Sequence, residues 1–540
     1  MNASESRLFL FSSMKKLLLL LFFPALLLSN GTEAQDFPVY KDDIVIVYEN
    51  DVHGAIDGYP VIAAVRDSLR RLSPNTILVS CGDFLSGTSL GSHSQGGYIV
   101  RMMNAVAYDY YTLGNHEFDY GVPMLQQRVS QLKGTPLCCN FTEVATGTCL
   151  FKPSHIDTLG GTSVAFIGIT TPAAATTSTP TFFQDSLKRW LYTFHADHLD
   201  SLLQSCVDEV RSQGADYVVL ISHIGEVDMP AIVAKTTGID VVLDGHSHSV
   251  LPHSLLSNRD GQPVLWTSAG SKFRHIGQVV ISPSRGAFFS DLLQTDELGI
   301  SSPRVADTLE VIKNEYASVG SRIVGRAEAE VRRDYSQKGF LDSPLGNLCT
   351  DAFRVLSGAQ VGLMNRGGIR ADLPSGDIAF DDLYSSFPFD NKVMVVEMSG
   401  QCLLDALEMG LHSWPRLLGA TLQVSGITFE VNPDLPDPVV LDENGIFQRV
   451  EGRRRVSNVK VWNDVSKRYE PLRPKRRYTV CGCDYFLLNH GDGHNFYDVK
   501  VVGPVLGESV KVMEAFVHKH LQGTIGSRYF QSQGRIRVRY

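Results

Sequence analysis

Residues 44–54 read IVIVYENDVHG, a run rich in Val and Ile that ends in a polar segment containing Asp51 and His53. A short apolar run of this kind is typical of a strand buried on both faces of an α/β sheet. The polar residues after it then stand at the carboxyl end of the strand, where open α/β sheets place their functional crevice. This stretch therefore predicts both the fold class and the position of a site.

The same arrangement recurs through the first half of the chain. Residues 61–72 and 197–212, which lie between such runs, have the spacing of amphipathic helices. Short buried strands that alternate with helices predict an α/β sheet. The further strands are predicted at 77–80, 110–113, 164–169, 217–221 and 241–243.

Length and composition predict more than one domain. The chain has 540 residues, of which 43% are hydrophobic and 20% charged, enough apolar material for two large cores. A formal net charge of -9 and a pI near 6.0 argue against a nucleic-acid binder, which needs a concentrated basic surface. A helical pattern at 302–317 places the domain boundary near 300–335. We expect domains at 35–300 and 335–540, with a linker helix region at 301–334.

The first 34 residues are predicted to be an export signal. Lys15 and Lys16 precede the apolar run Leu17–Leu28, and small residues follow at Thr32 and Ala34. The run is too short for a stable membrane span, so we expect an exported protein that is periplasmic, secreted or at the cell surface. The nine cysteines are an odd number, and pairing of Cys138 or Cys139 with Cys149 stays open.

Seven potential metal ligands follow the predicted strands. Asp51 and His53 are two residues apart, as are His246 and His248, and in extended backbone such pairs project to the same side. Carboxylate, imidazole and amide donors together suit zinc, manganese, cobalt or iron(II). An Asp or His alone at such a place is usually a cap or a structural residue, but seven together favour a metal site. The predicted ligands are Asp51, His53, Asp83, Asn115, His223, His246 and His248.

Four blocks of sequence carry a resemblance to a known family. They are Asn50–Gly54, Gly82–Asp83, Gly114–Asp119 and Gly245–His248, and they resemble the motifs of the calcineurin-like metallophosphoesterases. With the motifs of the second half, the chain after the signal is similar to the bacterial and animal 5'-nucleotidase family, which includes UDP-sugar hydrolases. The resemblance implies an N-terminal four-layer α/β/β/α domain and a smaller mixed α/β substrate-binding domain, joined by a linker helix.

The resemblance also implies roles for the residues of the site. One divalent ion would be held by Asp51, His53, Asp83 and His248, and the other by Asp83, Asn115, His223 and His246. Two ions close together can activate a bound water and clamp a phosphoryl group. His116, oriented by Asp119, would stabilise the developing charge. On spacing alone, a cap at the start of a helix explains His116 and Asp119 equally well.

The second half contains a predicted nucleotide site. Asn365, Gly368 and Arg370 follow the apolar run 361–364, and such a glycine-containing loop can bring backbone and a guanidinium close to phosphate. The resemblance assigns base stacking to Phe486 and ribose binding to Asp492. Taken alone, the loop could be an ordinary turn, and Phe486 a core residue.

Two departures from the family pattern concern the substrate. Thr421 stands where a second stacking aromatic is common, and the segment around Leu341 lacks an expected Arg. The sequence therefore predicts a hydrolase acting on nucleoside 5'-monophosphates, and on nucleotide sugars or higher nucleotides as further substrates. A 2',3'-cyclic nucleotide phosphodiesterase with 3'-nucleotidase activity, or another phosphoesterase, is the alternative enzyme. A nucleotide-binding protein without turnover is the alternative of another class.

Overall fold

The computed structural model describes residues 37–174, 180–185, 187–334, 339–389, 391–415 and 419–539. The predicted export signal at 1–34 lies outside these residues. Within them, no helix has both the length and the apolar character needed to cross a membrane. The described residues group into two compact units. The first comprises 37–86, 94–174 and 190–313, and the second comprises 87–93, the described part of 180–189, and 314–539.

The first unit contains two six-stranded sheets. In each sheet the central strands run parallel to one another. Antiparallel strands lie at one edge of the first sheet and at both edges of the second. The first sheet has the order Ala287–Gln294, His275–Ser282, Ile44–Glu49, Thr76–Ser80, Tyr110–Tyr111 and Thr135–Pro136. The second has the order Val250–Ser257, Pro263–Ala269, Val241–Leu243, Tyr217–His223, Thr162–Thr170 and Ser154–Leu159.

The two sheets share one apolar core. Side chains of the first sheet, such as Ile46 and Val79, belong to the same buried cluster as Phe166 and Ile221 of the second sheet. The outer face of the second sheet packs on the helix Leu199–Ser212. The buried side chains of this helix recur every three or four residues, at Leu199, Leu203, Cys206, Val207 and Val210, so one stripe faces the sheet.

Helices also cover the first sheet. The helix Tyr59–Leu72 begins with a proline in its first turn and buries Ile62, Val65 and Leu69. Together with the helix on the second sheet, it completes an α/β/β/α arrangement. The other helices that lie wholly or partly in this unit are Gly97–Val106, Val122–Gln131, Met229–Val233 and Pro303–Gly320.

The second unit is mixed α/β. Its largest sheet has the strands Leu422–Ser425, Val361–Asn365, Arg477–Cys483, Lys392–Ser399 and Val499–Val501 in that order, with Gly507–Glu508 paired beside them. A four-stranded sheet has the order Arg468–Pro471, Val456–Asn463, Ile427–Val431 and Ile536–Val538. A third has the order Gly376–Ala379, Ile323–Ala327 and Thr524–Ile525. The longer helices are Pro344–Ser357, Phe380–Ser386, Gly400–Met409 and Ser509–Lys519.

The predicted strands and helices of the first half are confirmed, with small shifts at their ends. The helix predicted at 197–212 begins at Leu199, and the one predicted at 302–317 spans Pro303–Gly320. The sequence did not predict the four strands between Val250 and Gln294, nor that the strands divide between two sheets. All nine cysteines are free thiols, so the pairing of Cys149 considered above is not formed here.

Candidate metal centre

The seven predicted ligands converge in the first unit, from both of its sheets. Asp51 and His53 follow the strand Ile44–Glu49, and Asp83 and Asn115 follow the next two strands of the first sheet. His223 is the last residue of its strand in the second sheet, and His246 and His248 follow the adjacent one. These strands are parallel within each sheet, so their carboxyl ends lie at one edge.

The backbone at most of these ligands is not extended. A positive φ, which side chains other than glycine rarely adopt, occurs at five of the seven ligands: Asp51 (53°), His53 (49°), Asp83 (58°), His246 (75°) and His248 (56°). The side-chain pairs therefore converge for a different reason from the extended spacing that the sequence suggested. Hydrogen bonds hold the turns, including His53 N to Asp83 O at 2.8 Å and Asp51 N to Gly82 O at 3.1 Å.

One cluster able to hold a metal ion consists of Asp51, His53 and His248. The Nε2 atoms of His53 and His248 are 2.9 Å apart, and His248 Nε2 is 3.4 Å from Asp51 Oδ1. Two atoms bound to one zinc-like ion at tetrahedral or square angles are about 3 to 3.5 Å apart. His248 exposes 40% of its side chain whereas His53 exposes 3%, so this cluster is open to solvent on the His248 side.

A second such cluster consists of Asp83, His223 and His246. His223 Nε2 lies 3.1 Å from Asp83 Oδ2, and the same carboxylate oxygen lies 3.8 Å from His53 Nε2 in the first cluster. Asn115 joins the second cluster, because its Oδ1 is 2.9 Å from His246 Nδ1. Asp83 Oδ2 therefore faces both clusters.

The orientation of His223 is fixed by its second ring nitrogen. Nδ1 lies 2.6 Å from the carbonyl oxygen of Cys81, and because a carbonyl can only accept, Nδ1 carries the proton. Nε2 lies toward the carboxylates and would offer a lone pair to an ion once its own proton is released. A backbone carbonyl that sets the tautomer in this way is a common partner of metal-binding histidines.

Charges at the centre suit a bound cation. Burial alone would raise the pKa of Asp83, but His223 and His116 hold it well below its usual range. Burial lowers the pKa of His223, but Asp83 and Asp51 raise it to about 10. Burial and the neighbouring His223 lower the pKa of His246 to about 4, so this ring is neutral, as a ligand must be.

Two buried atoms of the centre test whether the residues fit a metal. Asp51 Oδ1 and His223 Nε2 are both buried, and among the described residues they have ion-pair contacts but no partner with hydrogen-bond geometry. A buried polar atom without a partner is costly, and an ion would satisfy both. The mixed nitrogen and oxygen donors are those that borderline divalent ions prefer. The residues present therefore fit a divalent metal.

His116 lies beside the ligands and is held by Asp119. Its Nδ1 is 2.9 Å from Asp119 Oδ2, and Ser86 donates a hydrogen bond to the same carboxylate. The His116 and His53 rings make an edge-on contact with centroids 5.1 Å apart. His116 also forms a third potential metal cluster with His53 and Asp83. The geometry therefore allows His116 to act on a substrate or to bind an ion.

Glu117 is a residue that the sequence reasoning missed. Its Oε2 accepts hydrogen bonds from the backbone N–H groups of Asp83 and Gly114, at 2.7 and 2.6 Å. Its Oε1 accepts from Phe84 and Leu85, at 2.7 and 3.0 Å. Burial and the charge of Asp83 raise the pKa of Glu117 to about 7. One buried carboxyl therefore binds the backbone of both turns that carry the ligands.

Gly114 permits the close approach of these two turns. A Cβ atom at this position would lie 2.1 Å from Asp83 Oδ1. The absence of a side chain also leaves Asp83 Oδ1 free to accept the hydrogen bond of His116 N at 2.8 Å. The glycine of this block is therefore a steric requirement of the site.

The predicted nucleotide contacts lie in the second unit. Asn365 Nδ2 donates to Asp492 Oδ2 at 2.7 Å, and Gly368 lies so close to Asn365 that a Cβ would be 2.9 Å from its Oδ1. The guanidinium of Arg370 lies 6.0 Å from the ring centroid of Phe389. The structure thus brings Asn365, Gly368 and Asp492 together.

Phe486 is fully buried in this unit. Its ring neighbours are His494 and Phe496, with centroids 6.2 and 6.0 Å away. No face of Phe486 is open to a base in this arrangement, and stacking stays a prediction. Thr421, at the position of the second aromatic, is buried as well, and its Oγ1 has no hydrogen-bond partner among the described residues.

Comparison with known proteins covers both units. Residues 44–250 match the calcineurin-like phosphoesterase family, and residues 323–499 match the 5'-nucleotidase C-terminal domain. The chain is 24% identical over 543 residues to 5'-nucleotidase of Bos taurus, covering 88% of each chain. It is 25% identical over 435 residues to a trifunctional nucleotide phosphoesterase of Bacillus subtilis (strain 168), covering 72% of this chain and 29% of that protein.

A solved structure shows the same fold over nearly the whole chain. The 5'-nucleotidase precursor from Thermus thermophilus superposes with a TM-score of 0.77 at 23% identity, covering 92% of this chain and 99% of that one. The predicted fold class, with an N-terminal metallophosphoesterase domain and a C-terminal 5'-nucleotidase domain, is confirmed.

Proposed function

We propose that this chain is a metal-dependent phosphoester hydrolase that releases phosphate from nucleoside 5'-monophosphates at a centre of two divalent ions. Residues 44–250 match the calcineurin-like phosphoesterase family and residues 323–499 match the 5'-nucleotidase C-terminal domain, which supports this proposal. The observation that carries this proposal is the position of Asp83, whose Oδ2 faces ligand atoms of both clusters. A carboxylate placed in this way can bridge two ions. The seven ligands are Asp51, His53, Asp83, Asn115, His223, His246 and His248.

Each cluster would hold one ion. Asp51, His53, Asp83 and His248 would hold the first, and Asp83, Asn115, His223 and His246 the second. When bound, two such ions supply an activated water and stabilise the charge of the phosphoryl oxygens. The mixed donor set supports zinc, manganese, cobalt or iron(II) over magnesium or calcium.

His116 and Asp119 would act on the leaving group. Asp119 Oδ2 holds Nδ1 of His116, which fixes the ring and leaves Nε2 for the substrate. His116 Nε2 would then donate a proton or a hydrogen bond to the ester oxygen as it leaves. In this role Asp119 is a positioning residue and His116 a catalytic one.

The second unit would provide nucleotide recognition. Arg370 would contact the phosphate, Asn365 and Gly368 would line the binding loop, and Asp492 would accept hydrogen bonds from ribose hydroxyls. Phe486 would stack on the base only after becoming accessible. We propose residues 35–300 as the phosphoesterase domain, 301–334 as the linker region and 335–540 as the substrate-binding domain. Residues 1–34 would direct export.

The burial of Phe486 and the presence of Thr421 favour a second candidate with a different substrate. A binding site without an open aromatic face suits a smaller or differently shaped ester. Hydrolysis of 2',3'-cyclic nucleotides, or of phosphoesters without a base, is that candidate. Nucleotide sugars are a further candidate under the first proposal.

A substrate panel tests the function directly. The purified full chain, freed of metal by chelation, receives manganese, zinc, cobalt or iron(II) in turn, and phosphate release is measured from AMP, UDP-glucose, 2',3'-cyclic AMP and a simple phosphomonoester. We expect AMP to be the best substrate. Faster hydrolysis of the cyclic or simple esters than of AMP would favour the second candidate function over the first.

Two variants test whether turnover depends on a predicted metal ligand. Asp83→Asn should abolish turnover with every metal. Asp57→Asn, which alters an exposed carboxylate paired with Lys313 in the same unit, should retain it. Turnover in the presence of excess chelator would overturn the metal mechanism. Tight AMP binding by the metal-loaded chain without phosphate release would identify a binding protein instead.

A further inference from the structure

The second unit contains a cavity that the proposed function does not use. Its volume is about 390 Å³, within the range of small-molecule sites. Residues of the helix Pro344–Ser357, of the strand Ile427–Val431 and of the C-terminal segment 528–537 line it. None of the predicted nucleotide contacts is among the lining residues.

The lining of this cavity is strongly basic. Two carboxylates, Asp351 and Glu430, accompany five cationic side chains in a chain whose formal net charge is -9. The excess of cationic over anionic side chains in this lining is therefore a local concentration of positive charge, which attracts anions. The cationic residues are Arg354, Lys460, Arg528, Arg535 and Arg537.

Both carboxylates already have partners. Asp351 Oδ2 accepts hydrogen bonds from Arg535 Nη2 at 2.9 Å and from Arg528 Nη2 at 3.1 Å, so two guanidiniums share one carboxylate. Glu430 is paired with Arg539, at 2.6 Å. Glu430 also interacts electrostatically with Lys460, so Arg354 and Arg537 are the cations of the cavity that neither acid pairs with.

Two of the cations, Arg354 and Arg537, form no ion pair within the described ranges of the chain. The Nε atom of Arg354 donates to Ser425 Oγ at 2.8 Å, and that of Arg537 donates to the carbonyl of Gly534 at 3.1 Å. These bonds orient the two guanidiniums and use neither of their terminal nitrogens. Oriented guanidinium forks of this kind match the oxygens of phosphate.

An aromatic ring also lines the cavity. Tyr469 exposes 42% of its surface, and its ring packs edge-on against Trp462 with centroids 5.3 Å apart. We propose that the cavity is a binding site for a small phosphate-bearing anion with at least two negative charges, separate from the metal centre. Inorganic pyrophosphate and a nucleotide share this chemistry.

Binding to the chelated full chain tests the site without any turnover. Isothermal titration with pyrophosphate, at physiological ionic strength, should reveal one site. Arg354→Gln should weaken its affinity at least about tenfold, since it removes an oriented charge. Arg537→Gln, which alters an exposed side chain and carries little risk to folding, should also weaken it. Arg449→Gln removes an exposed arginine outside the cavity and should leave the affinity unchanged.

The same titration with AMP distinguishes the two sources of anion. If the chain binds AMP more tightly than pyrophosphate, and Tyr469→Ala weakens AMP binding, the cavity is a nucleotide site. If it binds pyrophosphate more tightly than AMP, the ligand is an inorganic anion. Absence of pyrophosphate binding, or binding that survives both Arg354→Gln and Arg537→Gln, would overturn the proposal. So would loss of binding in Arg370→Gln, because the anion would then occupy the predicted substrate site.

Discussion

Replacement of Glu117 by Gln should destabilise the first unit through its backbone, although it leaves every predicted ligand in place. The carboxyl accepts four backbone N–H groups, two on each oxygen. In glutamine one of these oxygens becomes an NH₂ group, which is itself a donor. Two buried N–H groups then lose their acceptor, at about 1 to 3 kcal/mol each, so about 2 to 6 kcal/mol is expected.

A second effect acts in the opposite direction. Asp83 and burial together raise the pKa of Glu117 to about 7, so part of the cost of the charged form disappears in the neutral amide. The net loss should therefore fall near the lower end of that range. Scanning calorimetry of the chelated chain measures it, because the transition of one unit should move and the other should not.

The control is an exposed glutamate of the same unit. Glu226→Gln should leave both transitions within the usual range for surface substitutions, about 0.5 kcal/mol. If Glu117→Gln also shifts stability by less than that, the four hydrogen bonds do not hold the turns. The role assigned to this carboxyl would then be wrong.

Three further predictions concern other residues. His116→Asn should lower kcat about 10²- to 10⁴-fold with unchanged metal content by elemental analysis, whereas a fall in metal content would make His116 a ligand. Gly368→Ala should raise KM for the nucleotide about tenfold with little effect on kcat, since the added Cβ would crowd Asn365; an unchanged KM would remove this loop from the substrate site. Burial lowers the pKa of His494 to about 4, below its unfolded value, so the neutral ring favours folding and this contribution is lost as pH falls from about 6.5 to 4. Urea unfolding at pH 7 and pH 5 should show about 2 kcal/mol more acid destabilisation in the wild type than in His494→Gln, and equal losses would contradict the assignment.

The features of the metal centre that could be predicted are those that depend on a short-range sequence pattern. Runs such as 44–48 are buried strands because β-branched side chains fill a sheet packed on both faces, and the residues after them reach the sheet edge. Asp51 and His223 could therefore be found from the sequence. Their membership of different sheets could not, since strand order depends on contacts between distant segments.

Two other features left no local signal. A buried carboxylate that binds backbone, such as Glu117, looks in sequence like any acidic residue of a helical turn. The sequence around Phe486 is the same whether its ring lies in a core or stacks on a base. Only the packing of the folded unit distinguishes these two roles. Four strands from Val250 to Gln294 were also missed. Val250–Ser257 and Ala287–Gln294 are partly exposed, which interrupts their apolar pattern. Pro263–Ala269 and His275–Ser282 are almost fully buried but contain polar residues within the run.

The left-handed turns at the metal centre imply a conflict between chemistry and stability. Each non-glycine residue in this conformation costs on the order of 1 kcal/mol or more, and five ligands have it. Their sum approaches the net stability of an ordinary domain, about 5 to 15 kcal/mol. Glycine at His248, whose side chain is 40% exposed, should therefore make the metal-free chain harder to unfold while it removes a ligand. Selection for stability alone would erase these residues, and selection for hydrolysis would retain them.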